Sequence, residues 1–198
     1  TDISYALGNN IGGGLVSSKV PFQIYWVTKG LRDAFEGSAE ISSEEAMKFL
    51  QHYFTVVRPR EAAERSEKWL KKMEKSWGVK KTESGLLYRI DREGDANNKP
   101  TAQSIVKVDY EGNTRDGVVF DSSYKRGEPI EFGLNQVIPG WTIGMQLVGK
   151  GGQITLWIPS ELGYGPRGSG PIGPNAALEF KVELHDVIRA GAEPASAE

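Results

Sequence analysis

The hydrophobic period of this chain changes once, and that change constrains the fold more than any other feature. Up to Gly78 apolar residues recur at three- and four-residue spacing, and from Gly85 onward they alternate every second residue. A 3.6-residue period lays one stripe of a helix against a core, and a period of two does the same for one face of a strand. The chain therefore reads as α+β. An all-helical part spans 1–78, and an antiparallel sheet packed on a short helix spans 83–190, with the boundary near residues 78–84. The segment 191–198 is small and polar, and is expected to fray.

In the helical part, Ile3 to Val16 is rich in small residues: Ala6, Gly8, Gly12, Gly13 and Gly14. Each glycine costs about 1 kcal/mol against alanine, so this helix is weak alone but offers a small face to another helix. Pro21 fits the first turn of a second helix through Ile24, Val27, Leu31 and Phe35, and Gly37 fits its stop. Ser42-Ser-Glu-Glu45 is a capping-box pattern ahead of Ala46, Phe49, Leu50, Tyr53 and Val57. Pro59 then removes a backbone donor and crowds the carbonyl of Thr55, which predicts a kink or break. The period resumes through Ala62, Ser66, Trp69, Leu70, Met73 and Trp77 until Gly78 closes it.

Tyr5, Leu7, Tyr25, Trp26, Phe49, Phe54, Trp69 and Trp77 present more aromatic surface than about 75 residues bury alone. Either they meet a second copy of the chain, which is the preferred reading, or they dock on the second half. Residues 42–81 carry ten Lys/Arg against six Glu, a net of +4. Mixed signs and no base-stacking motif make this the solvated face of a long helix rather than a nucleic-acid surface.

In the second half Leu87, Arg89 and Asp91 alternate with Leu86, Tyr88 and Ile90. Val106, Val108 and Tyr110 share a face, as do Ile154, Leu156 and Ile158, and then Leu178, Phe180, Val182 and Leu184. Trp141, Met145 and Val148 mark the short helix. The chain has 198 residues, 38% apolar and 25% charged, with a net charge of -2 and no cysteine. That composition is ordinary for a globular protein and gives no electrostatic case for nucleic acid. It excludes disulfides and thiolate chemistry. No apolar run approaches the roughly 20 residues that cross a bilayer. The start at Thr1, without Met or an apolar signal core, is expected to reflect processing or trimming.

Gly163 to Gly168 matches the spacing of a dinucleotide fingerprint, but Pro166, Pro171 and Pro174 follow where that motif needs a helix. The segment reads as a Gly/Pro loop that can fold over a pocket. His52 and His185 lack a nucleophile or second ligand at useful spacing, so no metal site and no hydrolytic constellation is expected. Asp121 follows Phe120 at an apolar strand end and needs a partner if buried. Arg126 is one, and a turn cap to Ser122 or Ser123 is the other. Trp141 reads either as a core tryptophan or as a ligand platform. Aromatic and apolar residues interleaved with turns, without a nucleophile nearby, describe a pocket acting by shape and dryness on a substrate whose chemistry is a bond rotation.

Together these strings resemble the FKBP-type peptidyl-prolyl isomerases over about residues 83–188: Val108-Asp-Tyr-Glu-Gly112, Val119-Phe-Asp-Ser-Ser123, Val137-Ile-Pro-Gly-Trp141, Gly163-Tyr-Gly165 and Leu178-Glu-Phe-Lys-Val-Glu-Leu184. The first half, with Tyr5-Ala-Leu-Gly8 and a charged helix leading to Ser84-Gly-Leu-Leu-Tyr88, is similar to the Mip-like subgroup (macrophage infectivity potentiator and its periplasmic relatives). The resemblance implies an amino-terminal dimerisation domain followed by an FKBP-like isomerase domain that needs no cofactor. It implies catalytic roles for Asp121, Tyr164 and the backbone of Ile138. Substrate would be bound by Tyr110, Phe120, Arg126, Phe132, Val137, Trp141, Ile172 and Phe180, with Trp141 as the floor. Implied partners are proline-containing unfolded or partly folded polypeptides and macrolide inhibitors, the latter weakened by Ile130 at a place often aromatic in the family. A homodimer through residues 1–60 is implied, without a membrane span. So is a periplasmic or outer-membrane-associated location in a Gram-negative bacterium, with a cytoplasmic one as the alternative. A non-catalytic peptide-binding chaperone or adhesion module is the competing function.

Overall fold

The computed structural model describes residues 2–188 of the chain; the segment 191–198 lies outside the described residues. The chain forms two compact units that divide between His52 and Tyr53.

The first unit holds three helices. α1 (Ile3–Ser17) is capped by Asp2, whose carboxylate accepts from Ser4 N–H at 2.6 Å. α2 (Ile24–Glu36) ends on left-handed Gly37, as its sequence demands. It starts later than Pro21 predicts. Gln23 is extended and forms the cap, so Pro21 lies in the approach rather than in the first turn. α3 (Ser43–His52) opens on the expected capping box. Ser42 N–H donates to Glu45 Oε2 at 2.9 Å, and Glu45 N–H donates to Ser42 Oγ at 3.2 Å.

The second unit begins with a π-helical turn, Tyr53–Val57, and continues as α4 (Arg58–Glu74). Pro59 thus sits in the first turn of α4, where its missing donor costs nothing. The disturbance expected at Pro59 is a widened turn just before it. α4 ends at Glu74, short of Gly78, which leaves Trp77 beyond the helix and 90% exposed.

Strands follow: β1 (Lys80–Lys81), β2 (Leu87–Arg92), β3 (Ile105–Thr114) and β4 (Val119–Ser122). Then come the single turn α5 (Ser123–Arg126), β5 (Ile130–Gly133), α6 (Pro139–Met145), β6 (Gln153–Ile158) and β7 (Leu178–Ile188). They form one antiparallel sheet in the order β1-β2-β6-β7-β3-β4, with β5 also on β3. The alternating residues of β3, β6 and β7 point to the face covered by α6 and bury Val108, Leu156, Ile158, Leu178 and Leu184 completely. α6 can approach that face because its facing residues lack side chains. A Cβ on Gly140 would stand 2.6 Å from Ile158 Cγ2, and one on Gly144 would stand 2.6 Å from Leu156 Cδ2. The helix therefore rests on β6 with Trp141 held between the two contacts.

Candidate active site

Five elements deliver side chains to one cavity of about 300 Å³ at the edge of this core. β3 brings Tyr110, β4 brings Phe120 and Asp121, β5 brings Phe132, and β7 brings Phe180. The turn after β5 supplies Gln136, Val137 and Ile138, α6 supplies Trp141, and the loop before β7 supplies Tyr164.

Trp141 is buried, and three rings meet it edge to face. Its centroid lies 5.2 Å from Tyr110, 5.4 Å from Phe180 and 5.5 Å from Phe132. Their planes are inclined at 90°, 88° and 75°. Perpendicular packing sets the positive edge of one ring against the negative face of another and locks both. The indole is thus a core residue and also the bottom of the cavity.

The charged groups sit in one corner. The Tyr110 hydroxyl donates to Asp121 Oδ2 at 2.5 Å, and Arg126 Nη1 donates to Asp121 Oδ1. Arg126 Nη2 also donates to the Tyr110 hydroxyl at 2.8 Å, closing the triangle. Of the two expected partners of Asp121, Arg126 is the one its carboxylate meets, and among the described residues neither Ser122 nor Ser123 caps it. Ser123 is occupied elsewhere. Its Oγ accepts from Tyr110 N–H at 2.9 Å and donates to Asp109 Oδ1 at 2.6 Å, pinning α5 to β3. His185 Nε2 lies 2.8 Å from the other oxygen of Asp109. The serine hydroxyl points at the acid rather than the imidazole, so this group is a structural tie.

Burial pushes the Asp121 carboxyl up, but hydrogen bonds from Tyr110 and Arg126 and the guanidinium charge outweigh it and hold it below the ordinary carboxylate range. Burial, reinforced by Asp121, pushes the Tyr110 phenol up to about 12. Burial and the charge of Asp121 also raise Tyr164. At neutral pH the corner holds one carboxylate and two protonated phenols. Among the described residues the Tyr164 hydroxyl and the Ile138 N–H make no hydrogen bond, so both donors are open to a ligand.

Arg126 and Ile172 do not line the cavity. Arg126 stands behind Asp121 at the solvent rim, and Ile172 is 6% exposed inside the core cluster. Gln136 lines the cavity without having been anticipated; a polar residue in a turn carries no periodic signal. Among the described residues no three His, Cys, Asp or Glu gather as metal ligands, and no helix is long and apolar enough to cross a membrane.

Comparison with known proteins meets this geometry. The family model of the FKBP-type peptidyl-prolyl cis-trans isomerase matches residues 96–185. The model of the domain amino terminal to FKBP-type peptidyl-prolyl isomerase matches residues 1–90. A probable FKBP-type peptidyl-prolyl cis-trans isomerase, FkpA, of Neisseria meningitidis serogroup B is 41% identical over 196 residues, covering 91% of this chain and 72% of the relative. The outer membrane protein MIP of Legionella longbeachae is 35% identical over 200 residues, covering 95% of this chain and 85% of the relative. The crystal structure of FkpA from Escherichia coli superposes with a TM-score of 0.66 at 36% identity, covering 94% of this chain and 95% of that one.

Proposed function

This chain belongs to the family of FKBP-type peptidyl-prolyl cis-trans isomerases and accelerates rotation about Xaa-Pro bonds in protein folding, and on that premise we propose that the rotation takes place in the cavity above Trp141. The proline ring rests on the indole. The Ile138 N–H and the Tyr164 hydroxyl receive substrate carbonyls, and Asp121 faces the twisting amide. Tyr110, Phe120, Phe132, Val137 and Phe180 form the walls, while Arg126 and Ile172 act from behind them.

The observation that carries this reading is the make-up of the cavity. Six of its ten lining residues are aromatic, and its one carboxylate already holds its counter-charge. Rotation about a peptide bond meets a barrier of ~18–20 kcal/mol from lost resonance and exchanges no proton. The planar amide has a larger dipole than the twisted one, so an apolar cavity disfavours the ground state. Donors aimed at the carbonyls add binding that is strongest in the twisted form. Lowering the barrier by about 7 kcal/mol corresponds to roughly 10⁵-fold acceleration.

The helical segment 1–78 serves in this reading as a dimerisation domain through residues 1–60, and 83–190 as the isomerase domain. Exposure supports it: Phe35 is 91%, Tyr5 70%, Phe49 69% and Trp26 60% exposed, and α1 and α2 bury no residue. Two pockets per dimer hold an unfolded client by effective concentration, a chaperone function. Similarity to an outer membrane protein supports a periplasmic or outer-membrane-associated location. Macrolide inhibitors would bind less tightly than to family members with an aromatic residue at the place of Ile130.

An isomerisation assay on a short Xaa-Pro peptide tests the site. Asp121→Leu should lower kcat/KM by about tenfold or more, the scale of a lost preorganised polar contact. Full activity in that variant would refute the assignment. Solution sizing tests the dimer, since a compact 21.7 kDa particle would refute it.

A further inference from the structure

The one buried side chain of α4 is neither Trp69 nor Leu70 but Ser66, at 6% exposure. A buried hydroxyl is costly unless both its functions are used. Here both are used on one short segment outside the helix. Ser66 Oγ donates to the carbonyl of Asn175 at 2.7 Å and accepts from Ala177 N–H at 3.0 Å. Asn175 returns a bond to the helix: its Nδ2 donates to the carbonyl of Pro59 at 3.0 Å. It does so from a left-handed backbone, φ 52°, which asparagine tolerates better than most residues.

Asn175 also closes the loop that carries Tyr164. Its N–H donates to the carbonyl of Gly165 at 3.0 Å, next to Tyr164. On the other side of Tyr164, the N–H groups of Gly163 and Gly165 both donate to Ser160 carbonyl, at 3.0 and 2.9 Å. Just beyond Ala177 begins β7, which carries Phe180. The base of the loop is therefore gripped from α4, three residues before Phe180 and one residue from Tyr164.

We propose that Ser66 and Asn175 are positioning residues of the isomerase: from α4 they fix the base of the Tyr164 loop, making this helix part of the catalytic unit. The inference rests on the reading that Tyr164 receives a substrate carbonyl. A preorganised donor acts only when its position is held, and displacements near 1 Å at a reacting site cost up to about a hundredfold.

The test uses the full chain and a short Xaa-Pro peptide. Ser66→Ala is expected to lower kcat/KM by about tenfold, mostly in kcat, and to speed hydrogen exchange at the Gly165 and Ala177 amides. Ser66→Thr, which keeps the hydroxyl, is expected to recover most of the loss. Asn175→Gly keeps the left-handed backbone and its bonds but loses the amide to Pro59, and is expected to lower kcat/KM by about threefold. In a Tyr164→Phe background Ser66→Ala should cost little further, because both changes remove the same contact. Full activity of Ser66→Ala beside an impaired Tyr164→Phe overturns the inference alone, and so does an equal loss in both backgrounds. A fully active Tyr164→Phe overturns the reading of the site and the inference with it. Should Ser66→Ala not fold, Asn175→Gly decides by the same criteria.

Discussion

In the sheet unit Tyr110, Phe132 and Phe180 each set an edge against Trp141, while in the helical unit Tyr5, Trp26, Phe35 and Phe49 meet solvent. Both regions invest in rings, but only one covers them. The packed set leaves one concave face open, wide enough for a small ring, where Tyr110, Asp121 and Arg126 satisfy one another and the Tyr164 hydroxyl stays open. Large exposed apolar surfaces mark places where another macromolecule sits. Aromatic content alone therefore does not separate a cavity from an exposed face, and neither does edge-to-face pairing, since Trp26 meets Tyr25 at 5.1 Å; burial of the rings does.

The sharpest way to break this contrast is to make the same substitution in both regions. Trp141→Ala should destabilise the sheet unit by ~3–5 kcal/mol in denaturant unfolding, as for other large-to-small core changes. Phe35→Ala should leave that transition within about 0.5 kcal/mol while shifting the monomer–dimer equilibrium in sedimentation. An unchanged association would remove Phe35 from the dimer contact.

Glycines give the next largest difference. A Cβ on Gly144 would press into Leu156, so Gly144→Ala should cost about 1–3 kcal/mol in thermal unfolding. Gly12 faces open space, so Gly12→Ala should strengthen α1 by about 1 kcal/mol. Destabilisation at Gly12, measured as loss of helix by circular dichroism, would show that a second copy covers that face.

The smallest expected effect is that of pH. The folded pKa of Asp121 is depressed, so its stabilising contribution is present above the ordinary carboxylate value and is lost as pH falls through the depressed one. Tyr110 is raised to about 12, so its contribution is present below its ordinary value of 10.0 and is lost as pH rises through about 12. Between these limits kcat/KM should be flat. A bell-shaped profile centred near neutrality would point to a titrating group elsewhere in the site.

Alternation exposed the inner face of the sheet to sequence reading, because Val106, Val108, Leu156 and Leu178 each face inward for the reason their spacing gives. Tyr110 and Phe180 came with that alternation, whereas Tyr164, in an irregular loop, was legible only through the family resemblance. Gln136 escaped because a turn residue has no period. Pro59 signalled a disturbance but not its form, since crowding at the carbonyl of Thr55 is relieved equally by a kink, a break or the widened turn Tyr53–Val57 that contains it. The helical period places Ser66 on the inward stripe of α4, but spacing says nothing of its partners, and the hydroxyl is paired there by hydrogen bonds.

Gly140 and Gly144 seat the backbone of α6 directly on Ile158 and Leu156, with Trp141 between them. The indole consequently has no slack beneath it. On the proposed reading it acts as a depth gauge, and a proline ring that enters stops at one level whatever chain it belongs to. Differences among clients must then be absorbed at the mouth, where Gln136 and Tyr164 stand, so changes at those two residues should alter which sequences are processed without altering what is done to them.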